Sequence, residues 1–149
     1  MSRQALEKFI NEHSESDDFT GGVDQDKIEF IQNKLGAKLP KSYKWFLANY
    51  GSGGIFGVDI LGFAKSNIAS VVIETERYRK LGLESHLVVV ENCDEYMYCL
   101  NTSEMAGEEC PVTVWDRHAG LDDFNEADNF YDFLFERLTE AKDNCDEDF

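Results

Sequence analysis

Basic residues are scarce in this 149-residue sequence. It contains 14 Lys and Arg against 30 Asp and Glu, so its formal net charge is -16 at pH 7. Because phosphates and anionic lipid head groups repel such a chain, direct binding to nucleic acid or to a membrane surface is not expected. The excess is greatest at the C-terminal end, where residues 121–149 hold eleven Asp and Glu against Arg137 and Lys142. The last fifth of the chain is therefore an acidic pole.

Long apolar runs are absent as well. No stretch approaches the roughly 18 apolar residues that a membrane-spanning helix requires, and the N-terminal segment MSRQALEKFINEH lacks the apolar region of a signal peptide. The four cysteines have long, unequal spacings, which argue for reduced thiols rather than a disulfide framework. They are Cys93, Cys99, Cys110 and Cys145. We therefore expect a soluble protein that stays in the cytoplasm.

Motifs for catalysis and metal binding are also missing. The Gly-Ser-Gly-Gly segment at 51–54 follows a predicted helix and lacks the Gly-Lys-Ser/Thr of a phosphate loop, so it is typical of a helix end. Neither His86 nor His118 has the close cysteine spacing of a structural zinc site. The acidic residues of 122–128 lack the register of a calcium loop and favour an acidic helix start instead. We expect no catalytic residue, no metal and no cofactor.

Apolar residues are numerous enough for one packed domain, at 42% of the sequence with 13% aromatic. Their helical spacing predicts five helices, whose inner faces carry Leu6, Phe9 and Ile10; Ile28, Ile31 and Leu35; Tyr43, Phe46, Leu47 and Tyr50; Ile68, Val71, Val72, Thr75 and Tyr78; and Phe130, Phe133, Leu134, Leu138 and Ala141. Asp24 and Gly36 are expected to cap the second helix, and Pro40 to begin the third.

Four strands are predicted between the helices. They cover residues 55–63, 87–92, 96–102 and 111–116, and the middle two form a hairpin. This element order favours a single α+β domain, with helices packed on a mostly antiparallel sheet. We expect the domain to span residues 1–142 and an acidic, mobile tail to occupy residues 143–149.

Three stretches of the sequence resemble the SUKH superfamily of the Smi/Knr type. IEFIQNKLGAKLPKSYKWFLANYGSGG (28–54) is similar to its opening signature, an amphipathic helix followed by Leu-Gly and a Leu-Pro-x-x-Tyr that leads a second helix into a glycine turn. ECPVTVWDRHAGLDDF and NFYDFLFERL resemble its strand ending in tryptophan, its polar loop and its aromatic-rich last helix. The matching residues, which read first as architecture, are Leu39, Pro40, Tyr43 and Trp115.

The resemblance implies binding rather than catalysis. Members of the superfamily are mostly immunity proteins that neutralise the catalytic domain of a secreted polymorphic toxin, and some relatives are cell-wall signalling scaffolds. A nuclease toxin must present a basic groove to phosphates, and an acidic chain is suited to occupy it. The predicted contact residues are Asp94, Glu95, Tyr96, Asp116, Asp122 and Asp123. The resemblance leaves open a regulatory scaffold as the alternative function, and binding as a monomer or as a homodimer.

Overall fold

The computed structural model describes residues 3–147, apart from the side chains of residues 123, 124, 146 and 147. The elements in chain order are α1 (Arg3–His13), α2 (Gln25–Leu35), α3 (Lys41–Asn49), α4 (Ser70–Arg79), β1 (Leu87–Asn92), β2 (Tyr96–Asn101), a 3-10 turn (Thr102–Glu104), β3 (Val112–Asp116), β4 (Gly120–Ala127) and α5 (Phe130–Glu147). The strands form one antiparallel sheet in the order β1-β2-β3-β4. The predicted single α+β domain is confirmed.

Helices cover both faces of the sheet. Trp115 on β3 pairs with Met97 on β2, the neighbour of Tyr98, so Trp115 and Tyr98 point to opposite faces. Trp115 packs on Tyr78 of α4 with ring centroids 6.1 Å apart. Tyr98 packs on Phe133 of α5 at 4.9 Å. The core therefore has two layers, one between α4 and the sheet and the other between the sheet and α5.

The segment from Gly36 to Gly51 contains the corner at which the chain turns from α2 into α3, followed by α3 itself. Gly36 adopts the left-handed conformation at φ 61° and ends α2, as its lack of a Cβ permits. Pro40 precedes α3 and offers no side-chain cap. A distant carboxylate supplies one instead, because Glu109 accepts hydrogen bonds from the Ser42 amide at 3.0 Å and from the Ser42 hydroxyl at 2.5 Å. The start of α3 is thus capped from the loop between β2 and β3.

Tyr43 fixes the inner face of this corner. Its ring is fully buried and lies 5.2 Å from that of Phe130 on α5. Its hydroxyl donates a 2.6 Å hydrogen bond to the carbonyl of Leu61. Burial raises the pKa of the Tyr43 phenol, so the hydroxyl keeps its proton and remains a donor.

The predicted strand over 55–63 is wrong. The segment is an irregular loop that makes one isolated bridge, from Ile60 to Gly53, and one hydrogen bond to β1, from the Leu61 amide to the Val90 carbonyl at 2.8 Å. Phe56 has a positive φ of 56°, which an extended strand does not allow. At Gly62 an added Cβ would overlap with the carbonyl oxygen of Gly51. The glycines therefore serve close backbone approach rather than strand pairing.

Residues 122–127 of the acidic stretch lie in β4 rather than at a helix start, and Asp128 lies between β4 and α5. β3 is buried and needs a partner on each side, and β4 supplies the second through pairs such as Trp115 with Leu121 and Thr113 with Asn125. Thr113 and Trp115 are two residues apart on β3, whereas their partners Asn125 and Leu121 are four residues apart on β4. The two extra residues make β4 bulged. An edge strand tolerates such charge, because exposed carboxylates prevent further strand pairing.

The predicted boundary at residue 142 also differs from the structure. α5 continues to Glu147, so residues 143–147 belong to the helix rather than to a separate tail. Residues 148 and 149 lie outside the described residues. The spacing of apolar residues ends at Ala141, and a helix that continues without them cannot be read from the apolar pattern.

A buried ion pair joins α5 to the first strand. Arg137 donates two hydrogen bonds of 2.9 Å, from Nε and Nη2, to the two carboxylate oxygens of Glu91. The guanidinium also lies 5.7 Å above the ring of Tyr98. Burial raises the pKa of the Glu91 carboxyl, and the hydrogen bonds and charge of Arg137 oppose that rise. The pair satisfies two groups that would be costly to bury alone.

Arg137→Ala should lower the free energy of unfolding by about 3–5 kcal/mol, because it leaves the buried Glu91 without a partner. Arg137→Lys should lower it less, since lysine keeps the charge but not the planar fork. Urea denaturation followed by circular dichroism measures both. Arg77→Ala is the control, because it removes an exposed arginine paired with Glu74 at 3.4 Å. Equal stabilities for Arg137→Ala and Arg77→Ala would contradict the assignment.

Tyr43→Phe should destabilise the fold by about 1–3 kcal/mol, because the buried Leu61 carbonyl loses its donor while the ring contacts remain. Thermal melting gives the measurement. Tyr50→Phe makes the same chemical change at a half-buried hydroxyl without a hydrogen-bond partner among the described residues. Its melting temperature should stay close to that of the parent protein. A Tyr43→Phe variant that melts with the parent would show that the bond contributes nothing.

Candidate protein-binding surface

Two hairpin turns meet at one end of the sheet. In the β1–β2 turn the Asp94 amide donates to the Asn92 side chain at 2.8 Å, and Asp94 takes a positive φ of 76°. The β3–β4 turn follows Asp116, which pairs with Tyr96 across the sheet. The Arg117 amide joins the turns by donating to the Glu95 carbonyl at 3.0 Å. Residues distant in sequence thus form one continuous tip.

The tip carries fixed negative charge. The Asp116 carboxylate accepts hydrogen bonds from the amides of Ala119 at 2.9 Å and His118 at 2.8 Å. These bonds hold the pKa of Asp116 below its ordinary value, so it is ionised throughout the physiological range. Asp94 and Glu95 are exposed beside it. Arg117 is the one Lys or Arg within 94–96 and 116–118, so the tip is net negative.

A line of aromatic side chains runs from the tip to α5. Tyr96 is 37% exposed, and its ring meets that of Tyr98 edge-on with centroids 5.6 Å apart. Tyr98 in turn packs on Phe133. Burial is the main cause that raises the pKa of the Tyr98 phenol, and the contact with Tyr96 raises it further. The Tyr98 hydroxyl therefore remains protonated at neutral pH. The line provides a rigid, partly exposed apolar strip.

Carboxylates flank this strip on the α5 side. Glu126 on β4 and Glu136 and Glu140 on α5 line a shallow depression together with Tyr98, Phe133 and Arg137. The three glutamates are exposed, whereas the Arg137 charge is engaged by Glu91. We call the surface formed by the tip and this depression the acidic face. It comprises Asp94, Glu95, Tyr96, Asp116, Glu126, Glu136 and Glu140.

The structure brings four of the predicted contact residues together and separates the others. Asp94, Glu95, Tyr96 and Asp116 form the tip. Asp122 is exposed in the bulged part of β4, and the side chain of Asp123 lies outside the part of the chain that the structure describes.

The four residues predicted to be structural lie elsewhere. Leu39, Tyr43 and Trp115 are in the hydrophobic core, and Pro40 immediately precedes α3. Because these signature residues are buried, none of them is part of the exposed acidic face. The signature therefore gives no direct indication of which residues meet a partner.

Sequence reasoning missed the depression beside α5. Glu136 and Glu140 are four residues apart on the helix and so share one face, a signal that was available. Glu126 can be grouped with Glu136 and Glu140 only once its segment is known to be a strand of the sheet. The grouping could therefore not be found while residues 122–128 were assigned to a helix start.

Two of the four cysteines, Cys99 and Cys110, are buried thiols. All four are free. Burial raises the pKa of Cys110 to about 12 and raises that of Cys99 further, so neither is a thiolate at neutral pH. Among the described residues no group of three or more His, Cys, Asp or Glu is arranged to hold a metal ion. No helix within residues 3–147 is long and apolar enough to cross a membrane.

Comparisons with known proteins agree with the fold. The chain is similar to a crystal structure of a protein from Pseudomonas syringae pv. tomato, with a TM-score of 0.67 and 14% sequence identity, over 91% of this chain and 96% of that one. At that identity the likeness concerns the fold alone. A family model described as SUKH_5, SMI1-KNR4 cell-wall, matches residues 3–139. Since this match spans most of the sequence, the chain belongs to the SMI1-KNR4 (SUKH) family.

Proposed function

We propose that this protein is an immunity protein that binds a cognate toxin and blocks its catalytic domain, without catalysing a reaction of its own. Family membership is consistent with an immunity role. The observation that carries the proposal is the acidic face, where carboxylates surround an aromatic strip. A partner that complements this face has a basic surface. The groove in which a nuclease binds phosphates is such a surface.

The acidic face suits fast capture of such a partner. Opposite charges on two proteins steer their encounter, and steered pairs associate at roughly 10⁸–10⁹ M⁻¹s⁻¹ at low salt. Residues 84–149 contribute most of the charge, with nineteen Asp and Glu against three Lys and Arg. Speed is useful to a cell that makes its own toxin, because free toxin acts on that cell until it is bound.

Tight binding requires more than steering. Binding energy in protein interfaces concentrates in a few buried anchors, among which tyrosine, tryptophan and arginine are enriched. Tyr96 meets this description, since it is partly exposed, pairs with Asp116 across the sheet and packs edge-on against Tyr98. We assign Tyr96 the role of anchor and the surrounding carboxylates the role of guiding its approach.

A regulatory scaffold is the second candidate function. The family description refers to the cell wall, which favours a role in cell-wall signalling for some members. A scaffold binds several partners weakly, whereas an immunity protein binds one partner tightly. Co-expression with the proposed cognate toxin separates the two, because only an immunity protein restores growth.

Raising the salt concentration should slow association with the toxin by about tenfold or more and change dissociation little, because salt screens long-range attraction. Stopped-flow mixing with a catalytically inactive toxin domain gives both rate constants. An association rate that is independent of salt would reject electrostatic steering. A lack of any binding would reject the proposed function itself.

Reversing charge on the acidic face should weaken protection. In the double variant Glu95→Lys with Glu140→Lys, the association rate constant should fall about tenfold or more while the protein stays folded. Asp17→Lys with Glu29→Lys changes the net charge equally at exposed positions outside the acidic face, and it should lower the rate much less. Equal losses for the two pairs would indicate an effect of total charge alone. Tyr96→Ala should instead raise the dissociation rate constant.

A further inference from the structure

A second surface with different chemistry lies on the α4 side of the molecule. Among the described residues, five large hydrophobic side chains are exposed: Phe30, Ile68, Ile73, Leu81 and Tyr96. Phe30 and Ile73, 43% and 57% exposed, line one groove, and Ile68, 53% exposed, stands between its lining residues Asn67 and Ala69. Exposed apolar side chains clustered in this way mark interaction surfaces more often than scattered ones do.

The groove lies between two helices that run side by side. It has a volume of about 540 Å³ and is lined by residues of α2, of α4 and of the loop before α4. Phe63 forms part of its floor, with the Lys27 ammonium 5.5 Å above the ring. Arg79 at the end of α4 donates to the Leu35 carbonyl at the end of α2 at 2.9 Å. This bond fixes the helices relative to each other, so the groove is already formed.

The charge around the groove is opposite to that of the chain as a whole. Residues 24–80, from the N-cap of α2 to the end of α4, hold nine Lys and Arg against six Asp and Glu, a net charge of +3 in a protein of net charge -16. Lys34 is exposed one turn beyond Phe30, and Lys80 is exposed two turns beyond Ile73. The groove's charged neighbours are four cations, Lys27, Lys34, Lys65 and Lys80, and three anions, Asp24, Asp26 and Glu76, while Arg77 and Glu74 pair with each other at 3.4 Å.

We propose that this groove, the basic groove, binds an acidic amphipathic helix of a second partner protein. Its floor would receive apolar side chains at helical spacing, and its lysines would face carboxylates beside them, as in other helix-in-groove complexes. At about 0.15 M salt the screening length is about 8 Å, so the nearby lysines govern the approach more than the distant acidic face does. The basic groove and the acidic face would then serve partners of opposite charge.

A labelled peptide of about 15 residues tests this. It carries leucines at i, i+3, i+4 and i+7 and glutamates elsewhere, and a matched peptide has lysine in place of each glutamate. Binding at the groove, followed through the NMR amide signals of α2 and α4, should be at least about tenfold tighter for the glutamate peptide than for the lysine peptide. Any binding of the lysine peptide to the acidic face is followed separately, through the amide signals of the hairpin tips. Equal binding of the two peptides at α2 and α4, or none there, would overturn the proposal.

Variants of the protein locate the site. Ile73→Asp should weaken binding of the glutamate peptide about tenfold or more, and so should Lys34→Glu with Lys80→Glu. Leu81→Asp is the matched control, because Leu81 is 59% exposed just beyond the same helix and does not line the groove. Its affinity should not change. Equal losses for Ile73→Asp and Leu81→Asp would place the peptide elsewhere and overturn the proposal.

A second copy of this protein is the other molecule that could occupy the groove. Sedimentation velocity should show a monomer for the parent protein and for Ile73→Asp at the concentrations used. A dimer abolished by Ile73→Asp would show that a second copy occupies the groove, which would overturn the proposal. No toxin enters these experiments, so their failure leaves the proposed immunity function unaffected.

Discussion

The Glu91–Arg137 pair determines where the acidic side chains of α5 lie. Its two hydrogen bonds fix both the distance of the helix from β1 and its rotation about its own axis. With Arg137 held over Tyr98, the glutamates at 136 and 140 are directed to the rim of the depression beside the sheet. The pair also neutralises a cation that would otherwise weaken the acidic face. One buried contact thus orients a helix and preserves the charge of the surface beside it.

The two surfaces show how one chain separates opposite charges. The acidic face belongs to the hairpin tips, β4 and α5, and the basic groove belongs to α2 and α4. The sheet lies between α4 and α5, so the surfaces are on opposite sides of the molecule. Such a separation gives the protein an electrical dipole, which orients it as a charged partner approaches. A partner of either sign therefore meets the matching side more often than chance would allow.

The sequence predicted best what depends on local pattern. Apolar spacing identified all five helices, and Gly36 and Asp24 marked the ends of α2 because each acts through its own backbone or its own short side chain. The hairpin of β1 and β2 was also predicted from local sequence, because its two strands are neighbours in the chain. The resemblance to the SUKH superfamily rested on such local features, and the family match over residues 3–139 confirmed it.

What the sequence did not reveal depends on tertiary pairing. Charged residues are rare in strands, so β4 cannot be recognised until β3 is seen to require a neighbour. The segment at 55–63 has the composition of a strand, yet close contacts between backbones at its glycines hold it in a loop. The depression beside α5 was missed for the first of these reasons. The basic groove was missed because Ile68 shares a helical pattern with buried residues although it lies before the helix begins.

The cap that Glu109 places on Ser42 has a consequence for how the chain folds. The helix–corner–helix motif near the N-terminus looks self-contained, but its second helix receives its first-turn acceptor from a residue 67 positions further along the chain. Contacts over such sequence separations form late, because the loop between them must first be closed. A ribosome must therefore release β1 and β2 before the start of this helix can be capped. The motif by which the family is recognised thus depends on a residue that lies outside it, in the loop between β2 and β3.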